Sequence, residues 1–294
     1  MKSFEFESFD GGRLTLNRAF VDVFDSHGML TFDALMNHSG GSVAKNLLRE
    51  RTTTRFELTA HEADASPEGP TCCASRVRSR SERTPFAFYI KRHSPPPMKE
   101  YLKPLLRLTW PILGARNEWN ALLRFHAAGI ATMVPGALGE SRGHSFLVTQ
   151  AIEGCDKLSH WMDAHLVQPR VEDLRTARGL IAEIATIART MHGEGMHHQD
   201  FYLTHLLAPK DDVRAGLYVI DLGRVRRHAQ LSRRWIVKDL AQLNYSATHA
   251  TPADRLRFMT AYLGRPVDAA DRPLIRRVLR KSSAIARHSR KNRL

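Results

Sequence analysis

The sequence predicts an α+β fold in two lobes, a small β-rich N-terminal lobe at residues 1–152 and a mainly helical C-terminal lobe at 153–294. Two observations lead to this prediction. Runs of strand type are concentrated in the first half, whereas long stretches of helical periodicity are concentrated in the second. A length of 294 residues leaves room for two lobes or for one large domain.

The N-terminal lobe is predicted to contain a β-hairpin with a long tip. TTTRFEL at 52–58 and FAFYIK at 86–91 are rich in β-branched and aromatic residues, as strands are. The segment between them, near 61–84, is rich in Ser, Arg, Pro and Ala and has no periodicity. We therefore expect a disordered insertion at the tip.

A helix and a further strand are expected in the same lobe. NEWNALLRFHAAG begins at Asn117 and places Trp119 and Leu122 at helical spacing, with Gly129 as a plausible C-cap. The apolar run SFLVTQ at 145–150 predicts a buried strand.

The C-terminal lobe is predicted to follow a polar hinge, EGCDK at 153–157, and to contain a helix of about five turns that Gly193 and Gly195 end. Next, LYVIDLG at 217–223 predicts a buried strand that delivers the carboxylate of Asp221 at its end. The apolar face of the helix consists of Leu174, Ala177, Leu180, Ile181, Ile184, Ile187, Ala188 and Met191.

Charge is the most unusual feature of the composition. Lys and Arg number 44 and Asp and Glu 30, so the net charge is 44 − 30 = +14. This excess suits nucleic acid, nucleotide phosphates or an acidic membrane surface and does not choose among them. From Asp271 onward there are nine Lys or Arg residues and no further acid, but Ile275 and Val278 share a helical face. We expect a packed helix with a basic outer side.

Cysteine usage and hydropathy predict the compartment. Three cysteines without a CxxC pair argue against a disulfide framework and against a zinc site, which favours a reducing compartment. The N-terminal MKSFEFESFD is acidic and does not resemble a signal peptide, and no run is long enough to span a bilayer. We expect a cytoplasmic protein.

The order of several polar residues indicates phosphoryl transfer. That chemistry uses a strand lysine on the phosphates, a helix glutamate that fixes it, an H-x-D-x-x-x-x-N loop with the base, and a D-F-G aspartate for Mg²⁺. Lys91 ends FAFYIK, and Glu118 opens the next helix. In MHHQDFYLTHLL, Asp200 takes the position of the base and His205 that of the metal-binding Asn, and DLG begins at Asp221. Each motif alone is weak, but together and in order they predict a protein-kinase-like fold.

The same residues allow other interpretations. Lys91 and Glu118 could form a surface ion pair, and His205 could be a core histidine. A zinc site would need a ligand set that matches no familiar template: His192, His197, His198 and Asp200.

Two residues are expected to support the loop rather than to react. His198 precedes Asp200, and Asp239 in KDLAQLNY could brace the loop from a following helix. The alternative for Asp239 is an acid in the first turn of a helix, where the helix dipole favours it.

These motifs resemble the lipopolysaccharide kinase family, the Kdo and heptose kinases of the bacterial inner core. In the first lobe, RFEL, FYIKRH, WPILGARNEW and LLRFHAAGIATMVPGALGE carry the resemblance. In the second, HHQDFYLTHLL, VIDLGR and SRRWIVKDLAQLNYSA do so. The resemblance extends from about Val43 to about Tyr262.

The resemblance implies an enzyme that uses ATP and Mg²⁺ to phosphorylate a sugar hydroxyl of lipopolysaccharide at the cytoplasmic face of the inner membrane. It implies that Asp200 is the base, that Asp221 and His205 hold the metal, and that Lys91, paired with Glu118, holds the ATP phosphates. The expected partners are a lipopolysaccharide core acceptor and an anionic membrane surface, to which the protein would bind peripherally. No nucleic acid is expected, since the interleaving of aromatic and basic residues typical of stacking proteins is missing from the sequence.

The chain departs from the family pattern at several positions. Gln199 stands where the family usually has Arg, Gly223 where it usually has His, and the hairpin insertion is unusually long. The phosphate loop is not rich in glycine, and GGSVAKNLLRERT offers Gly40, Gly41 and the basic Arg51 instead.

The segment after Asp221 bears on the kind of acceptor. No A-P-E segment follows Asp221, and Asp239 comes only 239 − 221 = 18 residues later, which favours a small or glycolipid acceptor over a protein. The alternatives are a kinase for another small molecule or a protein, and an inactive pseudokinase that binds a partner.

Overall fold

The computed structural model describes residues 4–48, 51–59, 85–95 and 114–292.

The chain divides into two compact units. The N-terminal unit consists of Met1–Ala127 and Met133–Glu153, and the C-terminal unit of Ala128–Thr132 and Gly154–Leu294. The first contains a large β-sheet and the second is mainly helical, as expected for the predicted α+β class.

The N-terminal unit is built on a seven-stranded antiparallel sheet. Its strands have the spatial order β1-β2-β6-β7-β5-β4-β3. In chain order they are β1 Phe6–Phe9, β2 Leu14–Asn17, β3 Ser42–Leu48, β4 Arg51–Thr59, β5 Pro85–His93, β6 Pro135–Ser141 and β7 His144–Gln150.

The predicted hairpin and the later strand are confirmed. Strands β4 and β5 pair from Arg51 opposite His93 to Thr59 opposite Pro85, and β7 covers the predicted run at 145–150. The predicted insertion near 61–84 lies outside the described residues, which include only the strand ends that flank it.

In the described part of the N-terminal unit, three helices accompany this sheet. They are α1 Val21–Asp25, α2 Phe32–Asn37 and α3 Arg116–Ala127, and α3 confirms the helix predicted from Asn117. An aromatic core lies against the sheet, in which the ring of Phe88 is 5.1 Å from that of Phe24 and 5.6 Å from that of Phe56. Burial of large rings is the main stabilising contribution in such a core.

The C-terminal unit contains five helices among the described residues. They are α4 Leu158–His165, α5 Val171–Gly193, α6 Arg233–Ser246, α7 Pro252–Leu263 and α8 Arg272–Asn292. Five short strands complete the unit: β8 Cys155–Lys157, β9 Met196–His197, β10 Leu206–Pro209, β11 Tyr218–Val219 and β12 Arg226–Arg227. The sheets have the orders β11-β10-β8 and β12-β9.

The long helix α5 confirms the predicted apolar face over most of its length. Ile184, Ala188 and Met191 are buried, whereas Leu174 in the first turns is 42% exposed. The apolar periodicity therefore begins before the buried part of the helix does.

One local prediction was wrong and one was right only in part. The hinge expected at 153–157 contains the boundary between the two units, after Glu153, but its residues 155–157 form β8 and pair with β10. The strand expected at 217–223 is only Tyr218–Val219, because the backbone turns into a left-handed conformation at Asp221.

An apolar cavity of about 360 Å³ lies within the C-terminal unit, between α5, α6, α7 and α8. Ile181, Leu243 and Met259 are among its lining residues, and Leu256 and Leu279 lie at exposed positions of the lining. Among the helices in the described ranges, none has both the length and the hydropathy that a bilayer span requires.

Candidate active site

Lys91 and Glu118 form an ion pair in the N-terminal unit. Lys91 lies on β5, Glu118 lies in the first turn of α3, and Nζ is 2.6 Å from Oε1. The Glu118 side chain is only 5% exposed and that of Lys91 27% exposed, so the alternative of a surface ion pair is wrong. A carboxylate this deeply buried needs a cation, and the pair fixes the ammonium in one position.

Most of the predicted phosphate loop, residues 40–52, forms strand β3 and the start of β4. Gly41 precedes β3 with φ +109°, and a Cβ at this residue would lie 2.0 Å from the carbonyl oxygen of Arg55. Only glycine fits such a close approach. Arg51 is the first residue of β4, opposite His93, and its side chain is not described; residues 49–50 lie outside the described ranges.

In the C-terminal unit, Asp239 holds the loop that carries Asp200. Its buried carboxylate accepts hydrogen bonds from the backbone N–H of His198 at 2.7 Å and of Gln199 at 2.9 Å. His192 Nε2 lies 3.4 Å from the same carboxylate. Asp239 lies midway in α6, so it is not an acid of the first helical turn.

Asp239 is ionised despite its burial. Burial alone raises the pKa of this carboxyl, but the hydrogen bonds from His192 and His198 together hold its pKa below the usual value. The negative charge is thus available to fix the two backbone N–H groups.

Gln242 holds the same loop from the next turn of α6. Its side-chain NH₂ donates to the carbonyl oxygen of Gln199 at 2.7 Å, and its Oε1 accepts from the N–H of Phe201 at 3.2 Å. The N–H of Leu203 donates to Ser246 Oγ at 3.0 Å. Phe201 and Leu203 are buried, as their apolar character predicts. The loop is therefore fixed by side chains from one helix.

His198 joins the loop to the segment before Asp221. Its Nε2–H donates to the carbonyl oxygen of Ile220 at 3.1 Å, and its Nδ1 accepts from the N–H of Asp200 at 3.3 Å. These bonds require the neutral ring, and burial lowers the pKa of His198 accordingly.

His205 brings Asp200 and Asp221 together. Its Nδ1–H donates to the backbone carbonyl of Asp200 at 2.7 Å, and its Nε2 lies 3.6 Å from Asp221 Oδ2. Asp221 itself adopts a left-handed conformation, with φ 61° and ψ 54°, which is unusual for a residue other than glycine. Residues with such backbone strain are concentrated at functional sites.

The pair formed by His205 and Asp221 fits a divalent cation. A carboxylate oxygen is the ligand that Mg²⁺ prefers, and Mg²⁺ usually takes only one or two protein ligands besides phosphate oxygens and water. A histidine ligand that donates its other N–H to a carbonyl is typical of metal sites. No group of three or more potential ligands occurs among the described residues.

The alternative zinc site is wrong for the described residues. His192 contacts Asp239 and Tyr262, His198 contacts Ile220 and Asp200, and His197 Nε2 lies 3.1 Å from His228 Nε2. Each ring is thus directed to a different partner.

Asp200 itself is held by an arginine that the sequence did not point to. Its side chain is 22% exposed, and Arg224 Nη1 donates to both of its carboxylate oxygens, at 3.0 and 2.9 Å. A carboxylate with free lone pairs on a fixed loop can accept the proton of a hydroxyl group.

The similarity to known proteins covers the same residues. Residues 56–262, more than two thirds of the chain, match the lipopolysaccharide kinase (Kdo/WaaP) family. The chain belongs to this family. The resemblance derived from the motifs is confirmed, and the protein is a phosphotransferase.

Two curated members of the lipopolysaccharide kinase family are similar over most of their length. The chain is 34% identical over 206 residues to the lipopolysaccharide core heptose(I) kinase WaaP of Escherichia coli K12, covering 66% of this chain and 76% of that protein. It is 36% identical over 201 residues to the heptose(I) kinase WaaP of Pseudomonas aeruginosa PAO1, covering 64% and 74%.

A solved structure of a family member shows the same fold. The structure described as WaaP in complex with acyl carrier protein is 28% identical in sequence and superposes with a TM-score of 0.61. The match covers 86% of this chain and 95% of that one. The predicted α+β, kinase-like fold is confirmed.

The sequence did not predict the contacts that four residues make around this loop: Arg224, Gln242, His192 and Tyr262. Gln242 had a signal, because it follows Asp239 by one turn on the same helix face. Arg224 follows Asp221 by three residues and lies on the turn after it, but the D-F-G motif does not extend to Arg224. His192 and Tyr262 are connected only through the fold.

Proposed function

We propose that this lipopolysaccharide kinase transfers the γ-phosphoryl group of ATP to a hydroxyl of a heptose in the lipopolysaccharide inner core. One observation carries the proposal. The ring of His205 contacts both Asp200 and Asp221, in a chain 34% and 36% identical to two heptose(I) kinases. Those two relatives favour a heptose over Kdo as the acceptor.

Each residue has a distinct role in this proposal. Asp200 accepts the proton of the heptose hydroxyl, and Asp221 with His205 holds Mg²⁺. Lys91, fixed by Glu118, binds ATP phosphates together with Arg51. When bound, Mg²⁺ neutralises charge on the phosphates, and ATP supplies the phosphoryl group. Asp239 and Gln242 keep Asp200 in place, which matters because a catalytic group displaced by about 1 Å can lose about 100-fold in rate.

The test is transfer of phosphate to a defined acceptor. Purified protein is incubated with ATP, Mg²⁺ and dephosphorylated core oligosaccharide, and the product is analysed by tandem mass spectrometry. We expect one added phosphate on a heptose, and its loss in Asp200→Asn. Asp212→Asn, an exposed acid paired with Arg214, serves as the control. Phosphate on Kdo would contradict the proposed acceptor, and ATP binding without transfer would indicate a pseudokinase.

Acyl carrier protein is the proposed protein partner. The support is the solved WaaP complex with acyl carrier protein, which matches 86% of this chain. The apolar cavity within the C-terminal unit would suit an acyl chain, since apolar groups leave water for an apolar lining.

Binding assays with acylated and unacylated carrier protein test this partner. We expect the acylated form to bind more tightly, and we expect Leu256→Gln with Leu279→Gln to remove the difference. Both residues lie at exposed positions of the cavity lining, so the substitutions leave the core intact. Equal binding of both forms would contradict a role for the cavity.

We also propose that the protein is cytoplasmic and binds an anionic membrane surface through α8. This helix contains eight Lys or Arg residues and no acid, and its exposed cations include Arg276, Arg280 and Arg287. Basic helices are attracted to anionic headgroups, and salt screens the attraction.

Vesicle sedimentation tests the membrane proposal. We expect binding to vesicles with phosphatidylglycerol, none to pure phosphatidylcholine, and release at high salt. Replacing Arg276, Arg280 and Arg287 by Gln should weaken binding, whereas Gln at Arg175 and Arg178 of α5 should not. Equal loss with both sets would indicate a general effect of net charge.

A further inference from the structure

Gln199 links two segments of the site through its side chain. Its backbone N–H is held by Asp239 and its carbonyl by Gln242. Its side-chain NH₂ donates to the backbone carbonyl of Arg224 at 2.8 Å. The residue before the proposed base thereby fixes the backbone of a residue 25 positions later.

The backbone of Arg224 is held on both sides as well. It ends the 3₁₀ turn Leu222–Arg224, in which the N–H of Val225 donates to the carbonyl of Leu222 at 3.0 Å and Leu222 is fully buried. Soon after it, Arg226 of β12 pairs with His197 of β9. The backbone of Arg224 is therefore fixed. As a result, less conformational entropy is lost when its long side chain forms a contact.

The side chain of Arg224 ends at the carboxylate of Asp200. A single nitrogen, Nη1, bridges Oδ1 and Oδ2 at 3.0 and 2.9 Å. An exposed ion pair with flexible ends contributes little to stability, so stabilising the fold does not explain this arrangement. A carboxylate has about four lone-pair sites, and one bridging nitrogen leaves about two of them for a substrate hydroxyl.

We propose that Arg224 is a positioning residue that orients the carboxylate of Asp200 toward the acceptor hydroxyl, and that Gln199 places Arg224 for this task. The inference deepens the proposed function and depends on Asp200 being the base. It also gives a role to Gln199: the cation beside the base comes from the turn after Asp221, and Gln199 anchors it.

The first test separates turnover from nucleotide binding. We expect Arg224→Gln to lower kcat for phosphate transfer by about tenfold to a hundredfold, while the KM for ATP changes less than about twofold. Arg227→Gln is the matched control, because Arg227 is exposed and its Nε donates to the backbone carbonyl of Glu194, away from Asp200. Thermal unfolding of each variant shows whether the fold is retained.

Rescue distinguishes positioning from a structural role. Arg224→Lys keeps the charge but lacks the planar fork, so we expect partial activity. Guanidinium ion added to Arg224→Ala should restore part of the lost kcat and should not affect Arg227→Ala. A kcat for Arg224→Gln within about twofold of the original, or equal rescue of both alanine variants, would overturn the proposal.

The role of Gln199 is tested with a shorter amide. Asn tolerates a positive φ, here 71°, but its NH₂ is one methylene too short to reach the Arg224 carbonyl. We expect Gln199→Asn to lower kcat, as Arg224→Gln does. The kcat of the double variant should be no lower than that of Arg224→Gln alone. Additive losses would show that Gln199 acts independently of Arg224.

A spectroscopic measurement separates this inference from the proposed function. The ¹³C resonance of the Asp200 carboxylate, assigned by its disappearance in Asp200→Asn, reports the contact directly without any acceptor. It should move in Arg224→Gln and stay in place in Arg227→Gln. A resonance that does not move overturns the positioning role even if the kinase is active, and one that moves in a protein without transferase activity overturns only the proposed function.

Discussion

At the scale of single residues, the carboxylate of Asp239 is the buried charge that depends most on its hydrogen-bond partners. It is buried, ionised and bonded to two backbone N–H groups and His192. Such a group stabilises the fold only while its partners stay in place, and the loop with Asp200 keeps its shape only while the carboxylate does.

Asp239→Asn tests this dependence. The amide keeps the shape but brings an NH₂ group against N–H donors, so we expect a loss of about 2–3 kcal/mol in unfolding free energy, measured in urea. Phosphate transfer should fall as well. Asp212→Asn should leave both quantities unchanged, and a stable Asp239→Asn variant would contradict the structural role assigned to the charge.

In the buried ion pair of the N-terminal unit, removing one charge should destabilise the protein more than removing both. Lys91→Met leaves the Glu118 carboxylate without its cation, so we expect a loss of about 3 kcal/mol or more in unfolding free energy. Lys91→Met with Glu118→Gln should recover much of this stability, because no buried charge remains, and should still fail to bind ATP. Urea unfolding and nucleotide titration measure the two effects separately.

The lowered pKa of His197 leads to a prediction of how the stability of the protein depends on pH. Burial is the main cause that lowers its pKa from 6.5 to about 4, and the neighbouring His228, Lys238 and His192 add to the shift against the opposite effect of Asp239. Between these values the unfolded chain binds the proton and the folded chain does not, so stability is full above pH 6.5 and falls as the pH drops toward 4.

His197→Gln should flatten that dependence. We expect the urea midpoint of the original protein to fall between pH 6.5 and about 4, and that of the variant to fall less. His198 has a pKa lowered by burial in the same direction, so part of the slope remains in the variant. Identical slopes would show that His197 does not titrate as described.

At the scale of elements, the turn between α5 and β9 sets the start of the site loop. Gly195 has φ +73°, and a Cβ there would lie 2.3 Å from the carbonyl oxygen of His228. Its own carbonyl accepts from the N–H of His228 at 2.9 Å. The turn therefore requires glycine for both conformation and space.

Gly195→Ala and Gly193→Ala form a matched pair for this element. We expect Gly195→Ala to destabilise the protein by about 1–3 kcal/mol. Gly193 lies in the last turn of α5, where a Cβ would meet no atom of the described residues within 4 Å. Gly193→Ala should therefore be neutral or stabilising by less than about 1 kcal/mol. Thermal or urea unfolding compares the two, and equal losses would contradict the assigned role of Gly195.

The elements also show what periodicity predicts and what it does not. The hairpin of β4 and β5 and the helices α3, α5 and α8 follow from local patterns. The first two strands and α1 and α2 were not predicted, because FESF and LTLN are short and their burial comes from packing against β6 and the aromatic core. The strand expected at 217–223 is shorter because Asp221 adopts a left-handed backbone conformation. Strand propensity cannot predict such a conformation at a candidate functional site.

At the scale of the whole molecule, the order of the motifs predicted the family, and the family match confirms it. Motifs could propose Asp200, His205 and Asp221 because phosphoryl transfer needs those groups at those spacings. They could not supply Arg224 or His192, whose roles depend on contacts across 24 and 47 positions of the chain. The assignments of the base, the metal ligands and the ATP-binding residues stay predictions.

The central claim is that the loop with Asp200 places phosphate on a core heptose. The most direct measurement maps phosphate on core oligosaccharide from cells that lack this protein and are complemented with the original chain or with Asp200→Asn. We predict that a heptose phosphate returns with the original chain and not with the variant, at equal protein levels. A heptose phosphate restored equally by Asp200→Asn, or absent with both, would contradict the claim.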